Sequence, residues 1–243
     1  MSDALRGAFF IALKDMKAYY FKPPNISWGI LFPLVFILAF YLRSPVDFVH
    51  LIPGLLSLSL LFSTTSMEAI VITFERMTGA LERLMLYPVS VMTILTGKIS
   101  GGACFGLTVT IVFLIFLILM FSLHIKNTLL FLASVVISSF AFSSLGAFVS
   151  VSVKQVFEAQ TLANLFRFPM IFLSGVFIPV NSLPSVIKPV AYLMPLTYSI
   201  DSIRVAFGYE PQIVHPFLSM VILVGFSIVF IGLSAKILKE RIQ

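Results

Sequence analysis

Residues 74–90 read FERMTGALERLMLYPVS, the longest polar interruption between the apolar runs of the chain. At about 100° per residue on a helix, the large apolar side chains fall on one arc: Phe74, Met77, Leu81, Leu84 and Met85. The opposite face carries two Glu-Arg pairs with Gly79 between them, and Pro88 follows. The pattern predicts an amphipathic helix. It is either an interfacial helix between two spans or a docking surface for a soluble partner, and a bare glycine between charges of both signs favours docking.

The composition of the 243 residues is that of a membrane protein. Hydrophobic residues make up 59% and charged residues 11%, whereas soluble domains contain about 25% charged residues. We therefore expect an all-α integral membrane protein without a separate soluble domain. The single cysteine, Cys104, excludes an intrachain disulfide. Charged residues precede the first long apolar run and no small-residue cleavage site follows it, so no signal peptide is predicted.

Hydrophobic runs predict six membrane-spanning helices, over residues 26–42, 51–73, 93–123, 128–153, 159–177 and 216–237. A helix lying in the membrane surface is predicted over residues 2–21, because apolar side chains recur on one face: Leu5, Phe9, Ala12, Leu13, Met16 and Tyr20. Small residues in the third and fourth spans are expected to pack helices closely. They are Gly97, Gly101, Gly102, Gly106, Ser134, Ser138, Ser143, Ser144 and Gly146.

Residues 179–215 contain five prolines and only short apolar pieces. These pieces cannot cross a bilayer, so we predict re-entrant or surface helices that act as a cap or gate. Asp201 and Arg204, three residues apart on a helical turn, are predicted to fasten this segment.

The distribution of positive charge predicts the orientation. Of the 16 Lys and Arg residues, eleven lie on the side of the N-terminus, including Lys98 at the expected wet end of the third span, and four lie on the opposite side. By the positive-inside rule, both termini and residues 74–90 are cytoplasmic, and residues 179–215 lie outside.

No catalytic, metal or nucleotide site is predicted. Gly97-Lys98 lacks the other residues of a phosphate-binding loop, and the three histidines have no neighbouring ligand residues. Two ionisable residues lie inside predicted spans, Glu68 roughly 9 Å and Arg167 roughly 13 Å from the cytoplasmic end. We predict either a Glu68–Arg167 ion pair, which a long arginine side chain can reach, or two side chains that extend separately to the interface.

Two stretches resemble the permeases of ABC-2 type transporters. The first resembles the family segment E…GTLE…L…TPVS, with Ala80 and Tyr87 in place of two threonines; it comprises Glu75, Gly79, Leu81, Glu82, Pro88, Val89 and Ser90. The second is similar to the C-terminal signature of the family. It comprises FLSGVFIP at residues 172–179, Leu183-Pro184, Pro189, Pro195-Leu196-Thr197-Tyr198, Asp201 and Arg204.

The resemblance covers essentially the whole chain and implies one ABC-2 type transmembrane domain over residues 1–243. It implies an exporter permease of the daunorubicin/multidrug or polysaccharide-export type, which moves a hydrophobic or amphipathic substrate out of the cell. Its implied partners are a separate ATP-binding-cassette ATPase, a second permease copy (homodimer or heterodimer) and membrane lipid, with no nucleic acid. This chain itself would bind no cofactor, since ATP and Mg²⁺ would be bound by the ATPase.

The resemblance also assigns roles to residues. Residues 74–90 would be the coupling helix, and docking of the ATPase is implied for Glu75, Arg76, Gly79, Leu81, Glu82, Arg83 and Pro88. An outer gate segment is implied with Gly175, Phe177, Pro179, Pro184, Pro195, Tyr198, Asp201 and Arg204. Two alternatives are an ion-coupled secondary carrier that uses Glu68 and Arg167, and an intramembrane enzyme, the weaker of the two because paired catalytic residues are lacking. A co-purifying ATPase would favour the exporter over both.

Overall fold

The computed structural model describes residues 3–20, 22, 34–35, 38–39, 41–42, 48–121 and 123–240. Within these ranges the chain forms nine α-helices and no β-strand. The helices are α1 (Asp3–Asp15), α2 (Phe48–Met77), α3 (Ala80–Met85), α4 (Val91–Phe121), α5 (Thr128–Ser152), α6 (Val156–Leu173), α7 (Lys188–Tyr192), α8 (Pro195–Ala206) and α9 (Pro216–Glu240). A π-helical stretch, Met16–Tyr20, extends α1, and a 3₁₀ turn, Val180–Ser182, precedes α7.

Four of the described helices are long and apolar enough to cross a membrane: α2, α4, α5 and α9. They correspond to the second, third, fourth and sixth predicted spans. Of the predicted first span, residues 26–42, only 34–35, 38–39 and 41–42 are described, and these are helical. The fifth forms as α6 but carries Gln160, Asn164 and Arg167 and is not among these four. The all-helical class is confirmed, and the full six-span layout stays a prediction.

Helix α2 is the centre of the bundle and packs against α4, α5, α6 and α8. It carries a run of buried hydroxyl residues, which would be unfavourable in an apolar core without hydrogen bonds. The hydroxyls instead donate to carbonyl oxygens one turn earlier in the same helix: Ser57 to Pro53, Ser63 to Ser59, Thr64 to Leu60 and Thr65 to Leu61. The helix therefore satisfies most of these hydroxyls itself, whereas the buried Ser59 hydroxyl has no partner among the described residues.

Close packing around α2 depends on glycine, as the sequence predicted. A Cβ atom at Gly102 would overlap the Glu68 carboxylate, and one at Gly106 would overlap Thr64. On α5, a Cβ at Gly146 would lie 2.8 Å from the Glu68 Cβ. The predicted serines of α5 are buried as well. These small residues bring α4 and α5 into contact with the α2 backbone.

The N-terminal helix forms over the predicted residues. It packs on α4, where a Cβ atom at Gly97 would lie 2.8 Å from the Ala8 carbonyl oxygen. Of the predicted apolar face, Leu5 and Phe9 are exposed, whereas Ala12 and Tyr20 are buried within the protein. The helix therefore keeps an outward apolar surface, which suits contact with lipid.

The polar loops gather at two opposite ends of the bundle. At one end, the Arg76 guanidinium donates to the Val153 carbonyl, which joins the end of α2 to the end of α5. At the other, the Asn127 N–H donates to the Ala206 carbonyl at 3.0 Å, which joins the start of α5 to the end of α8. This arrangement places the loop after α2 and the loop after α8 on opposite sides of the bundle.

Candidate functional site

The predicted amphipathic helix over residues 74–90 is interrupted. Phe74–Met77 complete α2, the chain turns at Thr78 and Gly79, and only Ala80–Met85 form the short helix α3. Gly79 has φ +69°, a left-handed conformation that an L-residue with a side chain rarely adopts. The prediction of one continuous helix was wrong because a helical wheel takes no account of such a backbone break. We call residues 78–90 the coupling turn.

Leu81 attaches the coupling turn to the helix bundle, because its side chain is buried in an apolar cluster with Ile94 and Leu95 of α4. The Arg83 side chain also stabilises the turn, because its Nε and Nη2 atoms donate to the Gly79 and Thr78 carbonyl oxygens at 3.2 and 3.1 Å. The Gly79 carbonyl also accepts the backbone N–H of Arg83, so both the main chain and the side chain of Arg83 bond to this turn. The turn is thereby held rigidly against the bundle.

The exposed surface of the turn combines charge with apolar groups. Glu82, Arg83 and Pro88 are exposed, as the docking prediction requires, and a Cβ atom added at Gly79 would have no neighbour within 4 Å. The sequence did not single out Leu86 and Tyr87 for docking, yet they are 85% and 67% exposed. They lie outside the predicted apolar arc, and after the chain break at Gly79 they belong to the exposed surface of the turn.

Glu75 and Leu81, both named for docking, do not lie on this exposed surface, contrary to the prediction. The Glu75 side chain is completely buried and forms ion pairs with Lys98 of α4 and with Lys14 of α1, the latter at 2.6 Å. Asp15 closes the arrangement, at 3.0 Å from Lys98 and 2.9 Å from Lys14. We call Lys14, Asp15, Glu75 and Lys98 the charge ring.

The charge ring has two positive and two negative members, so it is neutral as a unit. Lys98, predicted at the wet end of its span, is instead fully buried. Burial raises the pKa of the Asp15 carboxyl, while the positive charge of Lys98 opposes this shift. Taking charges out of water is compensated here by close opposite charges. The ring fastens α1 and α4 to the last turn of α2, directly before the coupling turn.

Glu68 lies deeper in the same helix and is bonded to the N-terminal segment. Its Oε1 accepts a hydrogen bond from the Tyr20 hydroxyl at 2.8 Å, and its Oε2 has no hydrogen-bond partner among the described residues. Gly102 and Gly146 leave the space that this side chain fills.

The predicted Glu68–Arg167 ion pair is not formed. Arg167 of α6 donates to the side-chain oxygens of Asn164 and Gln160 at 3.2 and 3.3 Å and lies over the Phe62 ring. Extension to the interface is wrong as well, because Arg167 is 2% exposed. Depth along each helix was inferred from sequence, but the direction in which each side chain points was not.

The outer gate segment forms short helices, as predicted. Its helix α8 is almost entirely buried against α2, α5 and α9. The first segment of the signature turns at Gly175, which has φ +90°. The Tyr198 hydroxyl donates to the Tyr192 carbonyl at 2.8 Å, which joins α8 to α7. The remaining signature positions belong to the same stretch of chain. They include Phe177, Pro179, Pro184 and Pro195.

Asp201 fastens this segment, but not through Arg204 as predicted. Its carboxylate accepts from the backbone N–H groups of Gln212 at 2.6 Å and Val214 at 3.2 Å. Burial raises the pKa of Asp201, and the two backbone donors act in the opposite direction. The Arg204 guanidinium instead lies over the Tyr209 ring, 5.2 Å from its centroid.

Within the described part of the chain, no three His, Cys, Asp or Glu side chains are grouped as a metal ion would require. The features brought together are a rigid exposed turn, a buried charge ring beneath it and a fastened segment at the opposite end. This arrangement suits transmission of movement along α2.

Known proteins resemble this chain over most of its length. The family described as "ABC-2 type transporter" matches residues 8–208. Nodulation protein J of Sinorhizobium fredii is 28% identical over 160 residues, which cover 65% of this chain and 61% of that protein. The probable multidrug ABC transporter permease YbhS of Escherichia coli K12 is 24% identical over 198 residues, covering 79% of this chain and 52% of that protein.

A third relative is the inner membrane transport permease YadH of Escherichia coli K12. It is 23% identical over 157 residues, which cover 65% of this chain and 61% of that protein. The chain thus spans between about half and three fifths of the length of the curated relatives that it matches.

Proposed function

Because the chain belongs to the ABC-2 type transporter family, we propose that it is the membrane-spanning permease subunit of an ATP-binding-cassette exporter. It moves a hydrophobic or amphipathic substrate out of the cell with energy from ATP that a separate subunit hydrolyses. The names of YbhS and YadH, both permeases, support a transport role. The permease alone hydrolyses no ATP, since ATP and Mg²⁺ bind to the separate ATPase.

The proposal rests on one observation: the coupling turn is exposed on its outer side and packed against the helix bundle on its inner side. Its outer surface presents Glu82, Leu86 and Tyr87, a mixture of charge and large apolar groups that suits contact with a protein. Leu81 fixes its inner surface to α4, and the charge ring fastens the last turn of α2, directly before it, to α4. A force applied to the turn therefore reaches α2 without first deforming a flexible loop.

The wider arrangement follows from this role. Both termini and the coupling turn face the cytoplasm, where the ATPase is located, and the outer gate segment closes the opposite end. A second permease copy, identical or related, packs against apolar helix faces left exposed in the single chain. Membrane lipid covers the remainder, and the protein resides in the cell membrane.

The proposal is tested by the change Gly79→Trp. The indole has room, since no atom lies within 4 Å of the added Cβ, so the bulk projects outward. We expect the variant to lose binding to the ATPase that co-purifies with the wild-type permease, and to lose transport in reconstituted vesicles. A pull-down and a transport assay measure the two effects, with thermal unfolding measured in parallel.

The matched control is Gly79→Ala. Alanine meets the same left-handed backbone conformation, at a cost of about 1–2 kcal/mol, but adds no bulk to the surface. It should retain the ATPase. Normal ATPase binding and transport by Gly79→Trp would show that the turn is a linker at the membrane interface and would refute the proposal.

A further inference from the structure

Arg167 is a buried cation that has no acidic partner among the residues the structure describes. It is held by two neutral amide oxygens, from Gln160 and Asn164, and by the face of the Phe62 ring. Its Nε–H has no hydrogen-bond partner among the described residues. Removing a charge from water is costly unless an opposite charge compensates, and amides and a ring compensate only in part.

The acidic side chains that the structure describes do not supply the missing charge. No carboxylate in the described ranges forms an ion pair with Arg167. Glu68, which was expected to do so, is bonded to Tyr20. Glu158, on the same helix, lies nine residues earlier, roughly 13 Å along the axis. Its carboxylate accepts from the Lys154 and Gln155 N–H groups at the start of α6.

The described part of the chain therefore leaves this buried charge without a carboxylate to balance it. A bound anion from another molecule would supply the balance.

The surroundings of Arg167 indicate how such a molecule would approach. At about 100° per residue, Gln160 and Asn164 lie between the buried face of α6 and its exposed face, and both are half-buried. The adjoining exposed face is mainly apolar, with Phe157, Leu165, Phe168 and Phe172, although Thr161 lies among them and Glu158 at their edge. We call Gln160 and Asn164 the polar seam. The guanidinium thus lies between the interior of the bundle and this seam, and the seam borders the exposed, hydrophobic surface of α6.

We infer that Arg167, together with Gln160 and Asn164, binds the anionic head group of the transported molecule. This inference rests on the proposed export function and names the class of its cargo: an amphiphile with a phosphate, sulfate or carboxylate group. The planar guanidinium offers several N–H donors that match an oxyanion, and each amide can turn its NH₂ group toward the anion. The apolar part of the cargo lies along the exposed face of α6.

The position along the helix fits uptake from the inner side of the membrane. Gln160 lies four residues after Val156, the first residue of α6, so the polar seam is about 6 Å from that helix end. This end lies beside the coupling turn, because Arg76 at the end of α2 is bonded to Val153 just before α6. An anionic amphiphile whose head group lies at the cytoplasmic surface reaches this depth without crossing the bilayer.

The test uses the purified full-length permease in phosphatidylcholine nanodiscs and dodecyl phosphate as probe. Two ligands serve for comparison: dodecanol has the same alkyl chain without the anionic group, and inorganic phosphate has the anionic group without the alkyl chain. We expect dodecyl phosphate to bind more tightly than either, by calorimetric titration. Arg167→Met should raise its apparent Kd at least about thirtyfold, because one member of a buried charge pair is lost. Equal binding of inorganic phosphate would refute the amphiphile, and an unchanged Kd in Arg167→Met would refute the site.

Two further variants separate recognition from structure. Lys236→Met removes an exposed cation and should leave the Kd unchanged. Arg167→Lys keeps the charge and should bind dodecyl phosphate with intermediate affinity. Without probe, Arg167→Met should melt no lower than wild type, because it removes an uncompensated buried charge. A lower Tm together with unchanged affinity would show that Arg167 is only structural. No step involves the ATPase, so failure of coupling and failure of this site are distinguishable.

Discussion

Four buried charges at the junction of α1, α2 and α4 are stable together only while their signs balance. Lys98 and Glu75 are both completely buried, so neither can turn to water if its partner is removed. Lys14, at 44% side-chain exposure, is the one member in contact with solvent. The charge ring is therefore a single unit in which the effect of one substitution depends on the others.

We predict strong coupling between Lys98 and Glu75. Lys98→Met leaves two buried carboxylates with only Lys14, and loss of one partner from a buried pair costs about 3–5 kcal/mol. Adding Glu75→Gln restores neutrality around Lys14 and Asp15, so the double variant should lose less free energy of unfolding than the sum of the single variants. Denaturant titration in detergent measures the cycle.

The exposed Lys236–Glu240 pair, 3.9 Å apart on α9, provides the control cycle, because solvent screens both groups. Its coupling should lie within experimental error. Additive losses for Lys98 and Glu75 would mean that the two side chains do not act as one ring.

The sequence could place these residues on helices but could not pair them. Lys98 is a lone cation near the end of an apolar run, a pattern typical of a wet span end. Its partner Asp15 lies 83 positions away on another helix. Arg167 is the converse case: its depth was predicted, while the lack of an acidic partner among the described residues became visible only in the folded chain. A neutral tertiary cluster and an unpaired cation have the same local sequence signal.

At the scale of elements, periodicity predicted more. The bounds predicted for α2, α4, α5 and α9 differ from the observed ones by a few residues, because long apolar runs leave little choice of structure. The proline-punctuated segment was correctly predicted as short helices. The error came at Gly79, where one left-handed residue divides an amphipathic pattern between α2 and α3.

The outer gate segment should loosen when Asp201 is changed to Asn. The carboxylate accepts two backbone N–H bonds with its two oxygens, whereas an amide can accept with only one and presents an NH₂ group to the other donor. Hydrogen bonds to a charged group contribute about 1.5–3 kcal/mol. We therefore expect hydrogen exchange of residues 209–215 to rise by on the order of tenfold or more, measured by mass spectrometry in nanodiscs.

Glu210→Gln makes the same chemical change at an exposed position of the same segment and should leave exchange as in wild type. If Asp201→Asn exchanged no faster than Glu210→Gln, the Asp201 carboxylate would not fasten the segment.

At the scale of the whole molecule, the helices separate two polar ends, and the positive-inside rule then assigns each end to a side. The Arg76–Val153 bond places the coupling turn and the loop before α6 at one end, whereas α7 and α8 belong to the segment that reaches the other. The function proposed for the coupling turn depends on this assignment, because an ATPase supplied with cellular ATP can bind only from the cytoplasm.

Single cysteines test the orientation in whole cells. Cys104 is exposed and must first be replaced by serine. In that background, Ser185→Cys in the outer gate segment should react with a membrane-impermeant maleimide, whereas Gln155→Cys, before α6, should react only after the cells are opened. Both positions are exposed, so equal reactivity in detergent is the control for intrinsic accessibility. Labelling of Gln155→Cys but not Ser185→Cys in intact cells would place the coupling turn outside and rule out an ATPase partner at that surface.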